Sequence, residues 1–139
     1  MSPAKVLVVA DAPELVAAIQ CHLALARIGS GIARSAEQAI AMTRSEFFPV
    51  IIADIDMAGL SGVELVDTLK KINPFAQIVL LATESSLAQV VDCIGRGALD
   101  YFARSDGPTR LIEVVSYALV RGNRWKELLD RVRRPAAAR

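Results

Sequence analysis

Acidic side chains follow two apolar stretches of this sequence, at the points where those stretches end. Asp11 comes directly after the run Lys5–Ala10, and Asp54 and Asp56 come directly after Val50–Ala53. If both runs are parallel strands, their carboxyl ends meet at one edge of a sheet, where α/β proteins place their chemistry. Neighbouring carboxylates repel one another unless a cation joins them, and such oxygen ligands suit Mg²⁺. The sequence therefore predicts a candidate magnesium site at Asp11, Asp54 and Asp56.

Asp54 is the member of this set for which a purely structural role is hardest to find. An acid that ends an apolar strand is partly desolvated, and it has no adjacent helix to cap. Asp11 has an ordinary alternative, because it lies just before Pro13, and proline is favoured at the first position of a helix. We therefore expect a functional role for Asp54 and leave metal binding and helix capping both open for Asp11.

The elements that must position these residues alternate along the chain. Continuous apolar runs typical of strands buried on both faces recur at Lys5–Ala10, Val50–Ala53, Ile78–Ala82 and Tyr101–Ala103, with a weaker candidate at Ile32–Ala33 after a turn at residues 29–31. Between the runs, apolar residues spaced three or four apart are typical of amphipathic helices; the second of these patterns includes Phe47. This alternation predicts an α/β fold, a doubly wound five-stranded parallel sheet with five helices, flavodoxin-like, whose fifth helix is extended.

Length and composition indicate a single globular domain rather than a membrane, secreted or metal-stapled protein. The 139 residues suit one compact domain, and no apolar run approaches the length of a membrane span or a signal peptide. Cys21 and Cys93 have no metal-ligand spacing and are expected to be reduced core residues, and His22, the only histidine, is expected to be packed or solvated. These features favour a cytoplasmic protein without a membrane partner.

Basic residues concentrate near the end of the chain. Residues 1–120 carry 9 basic and 13 acidic side chains, whereas residues 121–139 carry 7 basic and 2 acidic ones. Such a segment can contact nucleic acid, but a solvated helix end explains it more simply, so a nucleic acid partner is not expected.

Four features in this order resemble the receiver domain of bacterial response regulators: the alternating elements, the acid after the first strand, the segment Asp54-x-x-Met-x-Gly-x-x-Gly62, and Gly97-Ala-Leu-Asp-Tyr-Phe102 shortly before a basic residue. The resemblance covers about residues 4–120. It implies that Asp54 accepts phosphate from a histidine kinase and that Mg²⁺ is held by Asp54, by the acidic pair at Ala10-Asp11 and by the backbone at Asp56. It further implies that Ala82 and Arg104 occupy the phosphate-contact positions and Tyr101 that of the switch aromatic.

Several of these positions depart from the family pattern. Ala10 replaces an acid, which removes a negative charge and weakens the expected Mg²⁺ binding, although the Asp56 carboxylate offers partial compensation. Ala82 stands where the family has a hydroxyl residue. Thr83 follows it, and adjacent strand residues face opposite sides, so Thr83 is expected to point away from the pocket unless the strand end bends. Ala58 lacks the usual proline, a mild change.

Arg104 keeps the positive charge of the family lysine but presents a planar fork that can pair with Asp54 and mimic part of the activated arrangement. The resemblance to receivers with such altered pockets implies a phosphate-independent interaction module that binds a histidine kinase or other signalling protein and has no enzymatic activity beyond its own phosphorylation chemistry. The alternative is a conventional receiver, phosphorylated on Asp54 with Mg²⁺. A flavodoxin-like cofactor binder is disfavoured, because residues 10–13 lack a phosphate-binding loop.

The fifth helix is predicted to run from about residue 108 to 134, longer than a sheet face requires. Its residues Leu111, Val115, Ala118, Gly122, Trp125, Leu129 and Val132 follow a heptad spacing. This predicts a receiver domain at residues 1–120 and a helical extension at 121–139 that acts as a homodimer seam or as a linker to an output domain. The alternative is an ordinary amphipathic helix whose first half packs on the sheet, with the side chains beyond Gly122 covered by something outside the domain.

Overall fold

The computed structural model describes residues 5–57, 59 and 61–133. Its strands are β1 (Val6–Val9), β2 (Ser30–Ala33), β3 (Val50–Asp54), β4 (Gln77–Ala82) and β5 (Asp100–Ala103). Its helices are α1 (Pro13–Leu25), α2 (Ala36–Ser45), α3 (Gly62–Ile72), α4 (Leu87–Gly95) and α5 (Pro108–Arg133), and a short 3₁₀ turn at Glu84–Ser86 precedes α4. All strands pair in parallel in the order β2-β1-β3-β4-β5. The predicted fold class is confirmed.

Two hydrophobic cores lie on the two faces of the sheet. Successive strand residues point to opposite faces, so Val9 and Ala53 face α2, α3 and α4, whereas Val8 and Ile52 face α1 and α5. Burial on both faces explains why β1, β3 and β4 are continuous apolar runs rather than alternating ones.

The boundaries differ from the sequence prediction in two places. β2 begins at Ser30 rather than Ile32, because edge pairing with β1 uses backbone groups and tolerates the small residues Ser30 and Gly31. Phe47 lies outside α2, which ends at Ser45. α3 ends at Ile72, directly before Asn73 and Pro74, and α4 ends at Gly95. Pro135, the predicted end of the last helix, lies outside the described residues, as does Ala58.

The first half of α5 packs on the sheet, and most residues of the predicted heptad seam are buried in this contact. Leu111, Val115 and Ala118 are buried in the core that α5 shares with α1. At Gly122 the helix approaches the chain before β3 so closely that an added Cβ would lie 2.5 Å from the Pro49 carbonyl oxygen. The seam predicted for a second copy therefore faces the domain's own interior as far as Gly122. This part of the homodimer prediction is wrong, and the ordinary amphipathic helix is correct there.

Beyond Gly122 the helix is still covered in part by its own domain. The Trp125 ring lies 5.3 Å from the Phe75 ring, and Leu129 borders a small depression together with Phe47 and Phe75. The expectation that only something outside the domain covers Trp125, Leu128 and Leu129 is therefore wrong for Trp125 and Leu129, whereas Leu128 is exposed. The loops that precede β3 and β4 supply the apolar contacts.

The two cysteines lie in different environments. Cys93 is fully buried among core residues, as expected, but Cys21 is exposed on α1, so the prediction that both are core residues is wrong for Cys21. The helical spacing alone does not fix which face of α1 turns inward. His22 is partly buried in a groove between α1 and α5. In the part of the chain that the structure describes, no helix combines the length and the hydrophobicity that a membrane crossing requires.

Candidate functional site

Asp54 is the buried acid at the centre of the site. It is the last residue of β3 and only 3% exposed, which agrees with the desolvation expected from the apolar residues before it. Its Oδ1 accepts a hydrogen bond of 2.9 Å from the Asp56 backbone N–H. Its Oδ2 accepts one of 2.6 Å from a terminal nitrogen of Arg104. Both carboxylate oxygens are therefore engaged within the domain.

Arg104 is held in place by the end of the sheet. It directly follows β5, and its backbone N–H donates to the Ala82 carbonyl oxygen at the end of β4, 2.9 Å away. Its side chain is 37% exposed, so the guanidinium lies between the buried carboxylate and solvent. A charge-assisted bond of this length to a desolvated acid is among the stronger polar contacts in proteins. The pairing that the sequence allows between Arg104 and Asp54 is present in the structure.

A second group of polar side chains lies beside this pair. The Asp56 Oδ2 atom lies 3.4 Å from the Thr83 hydroxyl and 3.3 Å from the Ser86 hydroxyl, long hydrogen bonds that join the β3–α3 loop to the start of α4. Thr83 is predicted to point away from the pocket unless the end of β4 bends, and the structure shows such a bend. β4 ends at Ala82, and the 3₁₀ turn that follows breaks the strand alternation, so Thr83 turns back towards Asp56.

Ser86 was missed in the sequence. It is 1% exposed, and its hydroxyl accepts a 2.9 Å hydrogen bond from the Thr83 backbone N–H, capping the turn. The signal was available: Thr83-Glu-Ser-Ser86 resembles the capping pattern in which a residue three positions after the N-cap reaches back to it.

The remaining candidate positions contribute less to the site. Ala10 and Ala82 are fully buried in opposite cores and offer no side-chain oxygen. Asp11 is exposed, and α1 has Ala12 as its N-cap without a side-chain cap hydrogen bond, so the structure does not support the capping role that we left open for Asp11. Tyr101 is 38% exposed on the edge strand β5.

The donor set can be tested against the magnesium that the sequence suggested. No group of three or more His, Cys, Asp or Glu side chains that could hold a metal occurs among residues 5–57, 59 and 61–133. A guanidinium binds Asp54 Oδ2, and the Asp56 carboxylate accepts hydrogen bonds from two hydroxyls. A cation placed there would face the positive charge of Arg104. As arranged, these residues do not fit Mg²⁺.

Comparison with known proteins agrees with the fold. The family model described as response regulator receiver domain matches residues 6–116. The transcriptional regulatory protein ZraR of Salmonella typhimurium is 31% identical over 88 residues, which cover 63% of this chain and 20% of that protein. The response regulator protein PilR of Pseudomonas aeruginosa is 25% identical over 119 residues, covering 86% of this chain and 27% of PilR. The chain thus spans about a fifth to a quarter of the length of these relatives.

Solved structures give the same result. The receiver domain of NtrX from Brucella abortus superposes with a TM-score of 0.79 at 28% identity, covering 82% of this chain and 97% of that one. A CheY-like receiver domain protein from Methanospirillum hungatei gives a TM-score of 0.81 at 24% identity, covering 88% and 98% of the two chains. The second likeness concerns the fold alone.

Proposed function

This chain belongs to the family of response regulator receiver domains, and from that premise we propose that it signals mainly by binding another protein, without depending on phosphorylation of Asp54. Receiver domains are generally signalling modules rather than enzymes, and they typically bind Mg²⁺ at the phosphorylation site. The observation that carries the proposal is the 2.6 Å ion pair between Arg104 and the buried Asp54. In this proposal the guanidinium compensates the charge of the Asp54 carboxylate without a metal ion or a phosphoryl group.

The chemistry of the pocket supports this proposal. Phosphorylation of Asp54 would require Oδ2 to leave Arg104 and a cation to approach a site that has lost the acid at position 10. Asp56 supplies a carboxylate, but it accepts hydrogen bonds from Thr83 and Ser86. In this proposal Mg²⁺ binding is weak, and the pocket stays in the arrangement with Arg104 paired to Asp54 instead of switching to a phosphorylated arrangement.

One observation favours the alternative, a conventional receiver phosphorylated on Asp54 by a histidine kinase with Mg²⁺. The Thr83 hydroxyl turns towards the Asp56 loop rather than away from it. A hydroxyl near the pocket offers a replacement for the one missing at Ala82. Under this alternative, Arg104 would swing out on phosphorylation and contact the phosphoryl oxygens.

The surface proposed for the partner is the face formed by α4, β5 and α5. Large apolar side chains that are exposed lie on all three elements, and exposed apolar residues on one face are typical of a protein-binding site. The side chains proposed for this face are Leu87, Val91 and Ile94 on α4, Tyr101 on β5, and Tyr117 and Val120 on α5. Candidate partners are a histidine kinase or other signalling protein, or an output domain, since ZraR and other relatives are transcriptional regulators several times longer than this chain.

The proposal is tested by offering the protein Mg²⁺ together with beryllofluoride, which mimics a phosphoryl group on aspartate. Backbone amide chemical shifts of β3, β4 and β5 report binding, and Arg104→Lys, which restores the family's side chain, is the matched variant. We expect no saturable shift change in the wild-type protein at millimolar Mg²⁺ and a measurable one in Arg104→Lys. Saturable binding by the wild-type protein, with a changed environment for Tyr101, would favour the conventional receiver instead.

A further inference from the structure

One exposed side of α5 carries a row of arginine and apolar side chains that continues past the sheet. Residues three and four positions apart lie on the same side of a helix, and these exposed side chains follow that spacing beside the buried side of α5. We call this row the basic stripe; its members are Tyr117, Val120, Arg121, Arg124, Leu128, Arg131 and Val132. With a rise of about 1.5 Å per residue, the row is about 22 Å long, or roughly four helical turns.

The arginines of the basic stripe have no carboxylate partner among the residues that the structure describes, in which the ion pairs of α5 are Arg110–Glu113 and Lys126–Asp130. Arg121 is partly fixed, because its Nε donates to the Gln77 side chain at 3.3 Å and its guanidinium lies 6.0 Å from the Tyr117 ring centroid. Glu127 borders a depression between Arg124, Leu128 and Arg131 and offsets one of the three charges. The stripe remains net positive.

We propose that the basic stripe binds an acidic amphipathic helix of a partner protein. Leu128, 46% exposed, and Val120, 62% exposed, offer apolar contacts, and the arginines alternate with them along the row. A partner helix of about four turns, with leucine-like residues on one side and carboxylates beside them, would match both features. This inference rests on the proposed function, because it names the chemistry of the partner for the α5 part of the same face.

A second copy of this chain fits the stripe less well. A symmetric pairing of two stripes brings Arg124 and Arg131 of one copy towards arginines of the other, and like charges across an interface disfavour it. The apolar heptad residues that would otherwise drive pairing are buried in the domain as far as Gly122. A nucleic acid would use the arginines but not the apolar side chains between them. An anionic membrane requires a wide apolar helix face, and the apolar face of α5 is turned to the core.

The probe for this proposal is a synthetic helical peptide of 18 residues, with leucine at every third or fourth position and glutamate at the flanking positions. A control peptide carries lysine in place of every glutamate. Trp125, the only tryptophan, borders a depression with Arg121, Arg124 and Leu128, so its fluorescence reports binding on this side of the helix. We expect saturable binding of the acidic peptide and none of the basic one at the same ionic strength.

Charge reversal of the stripe distinguishes binding at this site from nonspecific binding of the peptide elsewhere on the protein. The variant Arg121→Glu, Arg124→Glu and Arg131→Glu should bind the acidic peptide roughly 10- to 100-fold more weakly and gain affinity for the basic peptide. The matched control reverses three exposed basic residues on other elements, Arg34→Glu, Arg44→Glu and Lys71→Glu, with the same change in net charge. It should bind as the wild type does. Circular dichroism verifies that both variants fold.

Each remaining outcome has a defined meaning. Equal affinity of the reversed and wild-type proteins for the acidic peptide, or tighter binding of anionic vesicles or duplex DNA than of the peptide, overturns the proposal. A concentration-dependent dimer that is disrupted by the reversal also overturns it. Repeating the titration with Mg²⁺ and beryllofluoride distinguishes the two proposals: peptide binding only in their presence contradicts phosphate independence but supports the acidic partner.

Discussion

Removing the Arg104 side chain should destabilise the domain much more than a surface ion pair of the same length would. Arg104→Ala leaves the Asp54 carboxylate with the Asp56 N–H as its remaining hydrogen-bond donor in the structure. The buried Asp54 carboxylate then has no compensating cation. The loss of the guanidinium also opens a path by which water can reach Oδ2. The expected effect depends on how far that water compensates.

The magnitude lies between two limits. Breaking a fully buried pair costs about 3–5 kcal/mol, and breaking an exposed pair costs about 0.2–1 kcal/mol. Here the Asp54 side chain is 2% exposed, as in a buried pair, and the Arg104 side chain is 37% exposed, as in an exposed pair. We expect Arg104→Ala to lower the free energy of unfolding by about 2 kcal/mol. With a urea dependence of about 2 kcal/mol per molar, the midpoint should fall by about 1 M.

Urea unfolding monitored by circular dichroism measures this quantity, and a double-mutant cycle isolates the pair. The cycle combines Arg104→Ala with Asp54→Asn, which removes the charge but keeps the size of the side chain. A coupling free energy of about 1–2 kcal/mol is expected. Arg96→Ala is the matched control, because the Arg96–Asp67 pair is also 2.6 Å long but its side chains are 52% and 35% exposed. That variant should lose less than about 1 kcal/mol.

Two results would refute the reasoning. A coupling free energy below about 0.3 kcal/mol would mean that the guanidinium does not compensate the buried charge in solution. An equal loss of stability in Arg96→Ala and Arg104→Ala would mean that burial of the acid does not strengthen the contact. In either case the ion pair could no longer carry the proposed phosphate independence.

Three further predictions concern α5 and the cysteines. Gly122→Ala should lower the free energy of unfolding by about 1–3 kcal/mol in denaturant titrations, because the added methyl group meets backbone that cannot move aside. Phe75→Ala should shift the Trp125 emission to longer wavelength and increase its quenching by acrylamide, because the ring beside the indole is lost. A thiol reagent at neutral pH should label Cys21 rapidly and Cys93 only on unfolding, since Cys93 is fully buried and that burial raises the pKa of its thiol and keeps it protonated.

These predictions have controls within the same chain. Gly95→Ala adds a methyl group at the end of α4 with no atom within 4 Å, so it should be neutral or stabilise the domain by up to about 1 kcal/mol. Equal losses in Gly95→Ala and Gly122→Ala would contradict the packing argument. Unchanged tryptophan emission in Phe75→Ala would mean that the second half of α5 is not docked. Mass spectrometry of Cys21→Ser should detect no rapid label, and a rapidly labelled Cys93 would contradict its burial.

The amino-acid sequence by itself determined the fold class and the position of the buried acid. Burial on both faces requires continuous apolar strands, and such runs are visible in the sequence without any tertiary information. Asp54 could be identified because an acid that directly follows such a run must lie at the sheet edge and be partly desolvated. The pairing of Arg104 with Asp54 could also be anticipated, since β5 must end at the same edge as β3.

Only the tertiary structure decided which way individual side chains point at the strand ends and which surface the apolar side of α5 packs against. Thr83 faces Asp56 because β4 ends at Ala82 and a 3₁₀ turn follows directly. Strand alternation in the sequence does not reveal this bend. The heptad spacing of α5 fits a second helix and the domain's own sheet equally well, because both present an apolar surface to the same helix side. The burial of the first seam residues in the domain core, the approach at Gly122 and the contact of Trp125 with Phe75 distinguish them. Spacing fixes which side of a helix is apolar, but only the packed chain determines what lies against it.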